Sequence, residues 1–192
     1  AYNQVKALTK ILSTILGNQR LPMLIVDQNP KILDKSIFNA RSAAIYGFSI
    51  YGKSHTYLLN HKNEIDYSLL NNFLKRYGKN FFFIFGFTSS IFENLIEKLS
   101  TKLLSLNFKN GILLHGGGWK KMEKIKINNK IFKQKLKKKI KLENIYNYYG
   151  LVEQTGSIFI ECKKCSSFVT SIFSDILIRD KNFNIVKNGK KG

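Results

Sequence analysis

Phe81-Phe-Phe-Ile-Phe85 is an unbroken apolar run that passes through Gly86-Phe-Thr-Ser89 into Ile91, Leu95, Leu99 and Leu103, spaced as on one face of a helix. Gly111-Ile-Leu-Leu-His115 follows as a second apolar run. This succession of strand, helix and strand decides the fold. A helix between two strands returns the chain to its starting edge, so the strands pair in parallel. Strands without alternation are those covered on both faces. Ser90 and Glu93 have the spacing of a capping box for the intervening helix.

The same grammar extends outward. Leu21-Pro-Met-Leu-Ile-Val-Asp27 has the profile of a buried strand closed by an acid, and Thr56-Tyr-Leu-Leu59 reads as another strand. Asp66 to Tyr77 places Leu69, Leu70, Phe73 and Leu74 on one helical face. Ile145-Tyr-Asn-Tyr-Tyr149 is a strand that runs into Gly150. From Ser157 the pattern changes, and Ile158-Phe-Ile-Glu-Cys162 and Ser174-Asp-Ile-Leu-Ile-Arg-Asp180 read as antiparallel strands. The expectation is an α/β fold. A mostly parallel sheet with crossover helices occupies residues 1–156, and a small antiparallel β segment occupies residues 157–192.

With 192 residues, 44% hydrophobic and 13% aromatic, the chain can bury a substantial core. Two prolines and 23% charged residues exclude a disordered chain. The longest apolar run, Phe81 to Phe87, is too short to span a bilayer. Two cysteines cannot staple a fold of this size, so a reducing, cytoplasmic setting is expected. No signal-peptide pattern or initiator methionine opens the chain, and Lys190-Lys191-Gly192 ends it without a cap. A piece of a longer protein is therefore expected.

The net charge, 32 − 12 = +20, would attract phosphate polymers or anionic lipid. Much of it is compositional, since Lys, Asn and Ile are over-used together. It is also uneven: residues 120–141 hold eleven lysines. A basic nucleic-acid-binding module on Lys120 to Lys141 is the rival from another functional class. Ile131, Phe132, Leu136 and Ile140 recur there at helical spacing, which favours a solvated helix face instead.

Gly47-Phe-Ser-Ile-Tyr-Gly-Lys-Ser54 matches the formal pattern of a phosphate-binding loop. Such a loop leaves a strand and opens a helix, whereas this one carries Phe48, Ile50 and Tyr51 and runs toward a strand, so the match is read as coincidence. Cys162-Lys-Lys-Cys165 has metal-ligand spacing, and both structural cysteines and half of a zinc site remain open. Ligands of open parallel sheets bind beyond the carboxyl ends of the strands. Three loops leave such ends: Gly86-Phe-Thr-Ser89, His115-Gly-Gly-Gly-Trp119 and Gly150-Leu-Val-Glu-Gln-Thr-Gly156. Three glycines after a strand let the backbone approach a flat ligand closely. Tyr149-Gly-Leu-Val-Glu153 adds a ring that can stack on a base, a turn and a carboxylate able to hold magnesium.

These residues carry a resemblance. His115-Gly-Gly-Gly-Trp-Lys-Lys121, Asn147-Tyr-Tyr-Gly-Leu-Val-Glu-Gln-Thr-Gly-Ser-Ile-Phe159, Glu161-Cys162 and Phe173-Ser-Asp-Ile-Leu-Ile-Arg-Asp180 are similar to the bacterial acyl-protein synthetase family. Its best-known members supply the fatty acid reductase of bioluminescence, within the adenylate-forming superfamily. The resemblance implies the central piece of an adenylation domain. Its chemistry would be ATP-dependent activation of a carboxylic acid, expected to be a long-chain fatty acid. The acyl-adenylate would then pass its acyl group to a protein thiol on a reductase-like or carrier partner. An acyl-CoA ligase of the phenylacetate-activating type is the alternative.

By the same resemblance Tyr149 stacks on adenine, Gly116, Gly117 and Gly118 line its pocket, Gly150 makes the turn and Glu153 ligates Mg2+. Val152 stands where relatives carry a phosphate-contacting Thr, and Thr155 is the expected substitute. The superfamily's phosphate loop, ribose-binding aspartate and mobile domain with its catalytic lysine and acyl-accepting cysteine are not in the chain. Asp175, Cys162 and Cys165 do not replace them, so this segment alone is expected to be inactive.

Overall fold

The computed structural model describes residues 2–30, 40–104, 107–117, 119, 124–125, 127–150, 157–187 and 189. β1 (Leu21–Ile25) and β3 (Phe82–Phe87) lie side by side in its sheet. They are flanked by β2 (Gly52–Tyr57), β4 (Gly111–Gly116) and β5 (Asn144–Gly150), then by β6 (Ile158–Glu161) and β7 (Phe168–Val169). The order across the sheet is β2-β1-β3-β4-β5-β6-β7. β1 to β5 pair in parallel, whereas β6 and β7 add antiparallel pairs. The expected α/β architecture with its antiparallel end is present.

Helices cover both faces, which is why the central strands are continuously apolar. Along β3 the side chains alternate between the two layers. Phe82 and Ile84 pack with α3 (Tyr67–Tyr77) and α5 (Asn129–Ile140). Phe83 and Phe85 pack with α1 (Tyr2–Leu16) and α2 (Ala40–Ser49). Neither α1 nor α2 was among the expected elements. Asp66 caps α3 by accepting from the Leu69 N–H at 2.9 Å. Leu70, Phe73 and Leu74 of that helix are buried, while Leu69 is exposed.

The segment after β3 departs from the expected amphipathic helix. α4 (Thr88–Ile91) starts directly from the strand, widens into a π-helical stretch over Phe92–Lys98 and ends at Leu99. Leu103 lies in a separate 3-10 turn and is exposed. The capping box does not form. Ser90 lies inside α4 and its hydroxyl donates to the Val26 carbonyl at 2.8 Å, satisfying a buried acceptor just past β1. Glu93 pairs with Lys98 instead.

Ser174–Asp180 is not a strand. β7 takes the edge of β6, and among the described residues Arg179 makes just an isolated bridge to Ile185. Asp180 Oδ1 accepts from the N–H groups of Asn182 and Asn184, so local turn bonds take the place of a ladder. Gly47 to Ser54 runs from α2 into β2, helix before strand, the reverse of a phosphate-binding loop.

Within the lysine-rich stretch, Asn129–Ile140 forms α5, capped by Asn128 and packed through Phe132, Leu136 and Ile140. Part of its charge is used internally. Lys133 meets buried Glu161 at 2.7 Å, Lys137 meets Glu143 at 2.9 Å, and Lys139 donates to the Ile96 carbonyl. None of the helices among the described residues is long and apolar enough to cross a membrane.

Candidate functional site at the carboxyl edge of the sheet

β3, β4 and β5 end side by side, with Phe87 opposite Gly116 and Gly116 opposite Tyr148. Their carboxyl ends floor a cavity of about 660 Å³, walled by the first turns of α2 and by Phe168 of β7. Gly116, Gly117, Tyr149 and Gly150 all line it. Gly118, Glu153 and Thr155 lie outside the described residues.

Each lining residue has a local reason for its place. A Cβ on Gly116 would fall 2.4 Å from the Tyr148 ring, so the missing side chain is what lets that ring lie across β4. Gly117 has φ +94°, a conformation that favours glycine and turns the chain away from the strand. Tyr148 stacks on Phe85 with centroids 6.3 Å apart, and burial pushes its hydroxyl up to about 12, so it is a neutral phenol. Tyr149 is half exposed. Its ring lies 6.3 Å from Phe159, nearly parallel, and 6.1 Å from Phe168. An aromatic face is thereby held open to the cavity by two other rings.

Below this floor, Thr88 Oγ1 lies 3.2 Å from the Gly116 carbonyl and 3.0 Å from His115 Nδ1. The hydroxyl has one proton, which it donates to the carbonyl. His115 therefore donates from Nδ1 and leaves Nε2 as a bare acceptor. That assignment agrees with Nε2 being buried without a partner. Burial, helped by the Lys133 charge, lowers the imidazole to about 3, so it is neutral and packs against Phe132 at 4.7 Å.

Sequence reasoning missed Arg41. Its Nε donates to Asp27 Oδ2 at 2.7 Å, and its guanidinium lies 5.1 Å from the Phe87 ring centre. Asp27 was visible as the acid closing a strand, whereas a single arginine in an alanine-rich helix gives no local signal. Arg41 also lines a smaller polar recess of about 320 Å³ beside Ser89, Ser90 and Asn94. Cys162 and Cys165 form a turn between β6 and β7, in which the backbone N–H of Cys165 and then of Lys164 lower the Cys162 thiol. Among the described residues no three His, Cys, Asp or Glu side chains gather into a metal site.

The architecture recurs in solved enzymes. The amide bond synthetase McbA from Marinactinospora thermotolerans superposes with a TM-score of 0.60 at 10% identity, over 97% of this chain and 35% of its own. ATP-bound MatB from Rhodopseudomonas palustris gives 0.54 at 7% identity, over 99% of this chain and 34% of its own. These likenesses show the fold of adenylate-forming enzymes, and the chain spans about a third of their length. No curated protein sequence matches it. The glycine-rich end of β4 and the tyrosine-bearing end of β5 thus meet in an adenylate-forming fold. With the acyl-protein synthetase (LuxE) profile matching residues 1–192, the chain belongs to that family.

Proposed function

We propose that this cavity binds ATP and a long-chain carboxylic acid, and that the enzyme joins them as an acyl-adenylate before transfer to a protein thiol. The observation that carries the reading is the half-exposed Tyr149 ring, braced by Phe159 and Phe168 beside the bare backbone of Gly116 and Gly117. The cavity falls within the usual range for small-molecule sites, about 300–1,000 Å³. Adenine lies on Tyr149, the glycine backbone from Gly116 to Gly118 reads its edge, and Gly150 lets the chain turn past it.

A carboxylate oxygen attacks the α-phosphorus and pyrophosphate leaves. No proton moves in that step, so it needs no general base. The neutral Tyr148 that lines the cavity and the neutral His115 buried beneath it are compatible with such chemistry. The described lining offers no carboxylate, so the reading places magnesium on Glu153, with Thr155 toward the phosphates, on the strength of the sequence resemblance. When bound, the ion neutralises phosphate charge. The family supports a protein as acyl acceptor, and the reading makes that protein a reductase-like or carrier partner. In the same reading residues 1–156 are the central α/β part of the adenylation domain, residues 157–192 lead toward its next part, and the enzyme works in the cytoplasm.

Tyr149→Ala in the intact protein tests the site. ATP affinity should fall by about 1–3 kcal/mol, the usual worth of one base–aromatic stack. The melting temperature should hold, since the ring is half exposed. Unchanged ATP affinity would remove Tyr149 from the nucleotide site. Acylation of coenzyme A in preference to any protein would replace the proposed acceptor.

A further inference from the structure

Two anionic reactants must meet in a cavity whose described lining carries one charged side chain, Arg41. Its placement is constrained on two sides. Asp27, nearly buried, holds Nε at 2.7 Å, and the Phe87 ring supports the guanidinium face. Among the described residues the two terminal nitrogens, Nη1 and Nη2, have no hydrogen-bond partner. A guanidinium anchored at Nε keeps a planar pair of donors whose spacing matches the two oxygens of a carboxylate or a phosphate edge. The Arg41 side chain is 47% exposed above the buried Thr88, so its guanidinium is accessible to an entering anion.

We infer that Arg41 is the oxyanion-binding residue of this cavity, gripping a reactant through Nη1 and Nη2, with Asp27 as the positioning residue that aims it. The identity of the anion rests on the ligase reading: it is either the carboxylate of the acid or a phosphate of the nucleotide. Asp27 lowers the net charge of the pair, so the contact is one of geometry as much as attraction. Lysine at this position would keep charge and lose the fork.

Equilibrium binding to the intact protein, in wild-type, R41Q and R41K forms, tests this with two pairs of probes: tetradecanoate against tetradecanol, and ATP against adenosine. R41Q should weaken one of the anions about 10- to 100-fold, as expected for losing a charge-assisted bond. Its uncharged counterpart should bind as to wild type, and R41K should recover only part of the loss. A loss confined to tetradecanoate assigns the carboxylate, and one confined to ATP assigns the phosphates; both support the inference. Equal affinity for both anions in R41Q, an equal loss for the uncharged probes, or no binding of either anion by the wild type overturns it. Glutamine still reaches Asp27 as a donor, and R41K provides a second variant should R41Q fold poorly. Acid-dependent pyrophosphate exchange by the wild type is measured alongside. Its absence counts against the ligase reading, while the anion-to-neutral affinity ratio still reports on Arg41.

Discussion

Residues 120–141 carry eleven lysines, and the cavity at the end of β3, β4 and β5 shows a single arginine among its described lining. The lysine-rich helix spends charge on structure: Lys133 neutralises Glu161, Lys137 meets Glu143, and Lys139 reaches the carbonyl end of the π-helical stretch. The cavity instead sets its one cation in a fixed frame of Asp27 and Phe87. Charge number therefore says little about where an anion is handled. What matters is whether the cation is held in one orientation with donors to spare, as Arg41 is, or spent on internal partners, as Lys133 is.

The sharpest way to break that contrast lies within α5. Glu161 has a side chain only 2% exposed, so Lys133→Ala leaves a buried carboxylate with Asn129 alone. The expected loss is about 3 kcal/mol in chemical denaturation. A loss below about 1 kcal/mol would show that Lys133 is just another surface lysine.

His115 gives the next largest effect. Its folded-state value, about 3, lies below the ordinary 6.5, because burial and then Lys133 oppose the cation. The unfolded chain takes up a proton below about pH 6.5 while the folded chain does not. Its contribution to stability is therefore complete above that pH and erodes as pH falls toward 3, by up to about 1.4 kcal/mol per pH unit. His115→Asn should flatten the stability profile between pH 6 and 4. An unchanged slope would mean that His115 titrates in the fold.

Gly116→Ala addresses the cavity floor. The new methyl meets the Tyr148 ring at 2.4 Å, for a cost of about 1–3 kcal/mol. Because the displaced ring lines the cavity, ATP affinity should fall with stability. Full affinity in the variant would separate Gly116 from the site. At the small end, Lys135→Gln with Lys138→Gln should move stability by less than about 0.5 kcal/mol and leave adenylation intact. A large loss of activity would restore the helix as a functional anion surface.

The central sheet was legible because Phe81 to Phe85 and Gly111 to His115 are too apolar for anything but doubly covered strands. The loops at their carboxyl ends were legible for the same reason, since parallel topology puts ligands there. Local rules failed where tertiary partners intervened. Ser90 and Glu93 have the spacing of a cap, yet the Val26 carbonyl takes the serine and Lys98 takes the glutamate. Ser174 to Asp180 reads as a strand, but β7 already occupies the edge of β6. The Arg41–Asp27 pair joins α2 to the end of β1 across the fold, and no periodicity reports a contact of that kind.

The account stands most directly on pyrophosphate exchange driven by a fatty acid, measured for the intact protein and for Glu153→Gln. The substitution keeps shape and hydrogen bonding while removing the charge proposed to hold magnesium. Exchange should be present in the wild type and fall roughly 30- to 1000-fold in the variant, about 2–4 kcal/mol of transition-state stabilisation, with the melting temperature unchanged. Wild-type exchange rates in Glu153→Gln, or no exchange with any carboxylic acid, would contradict the account.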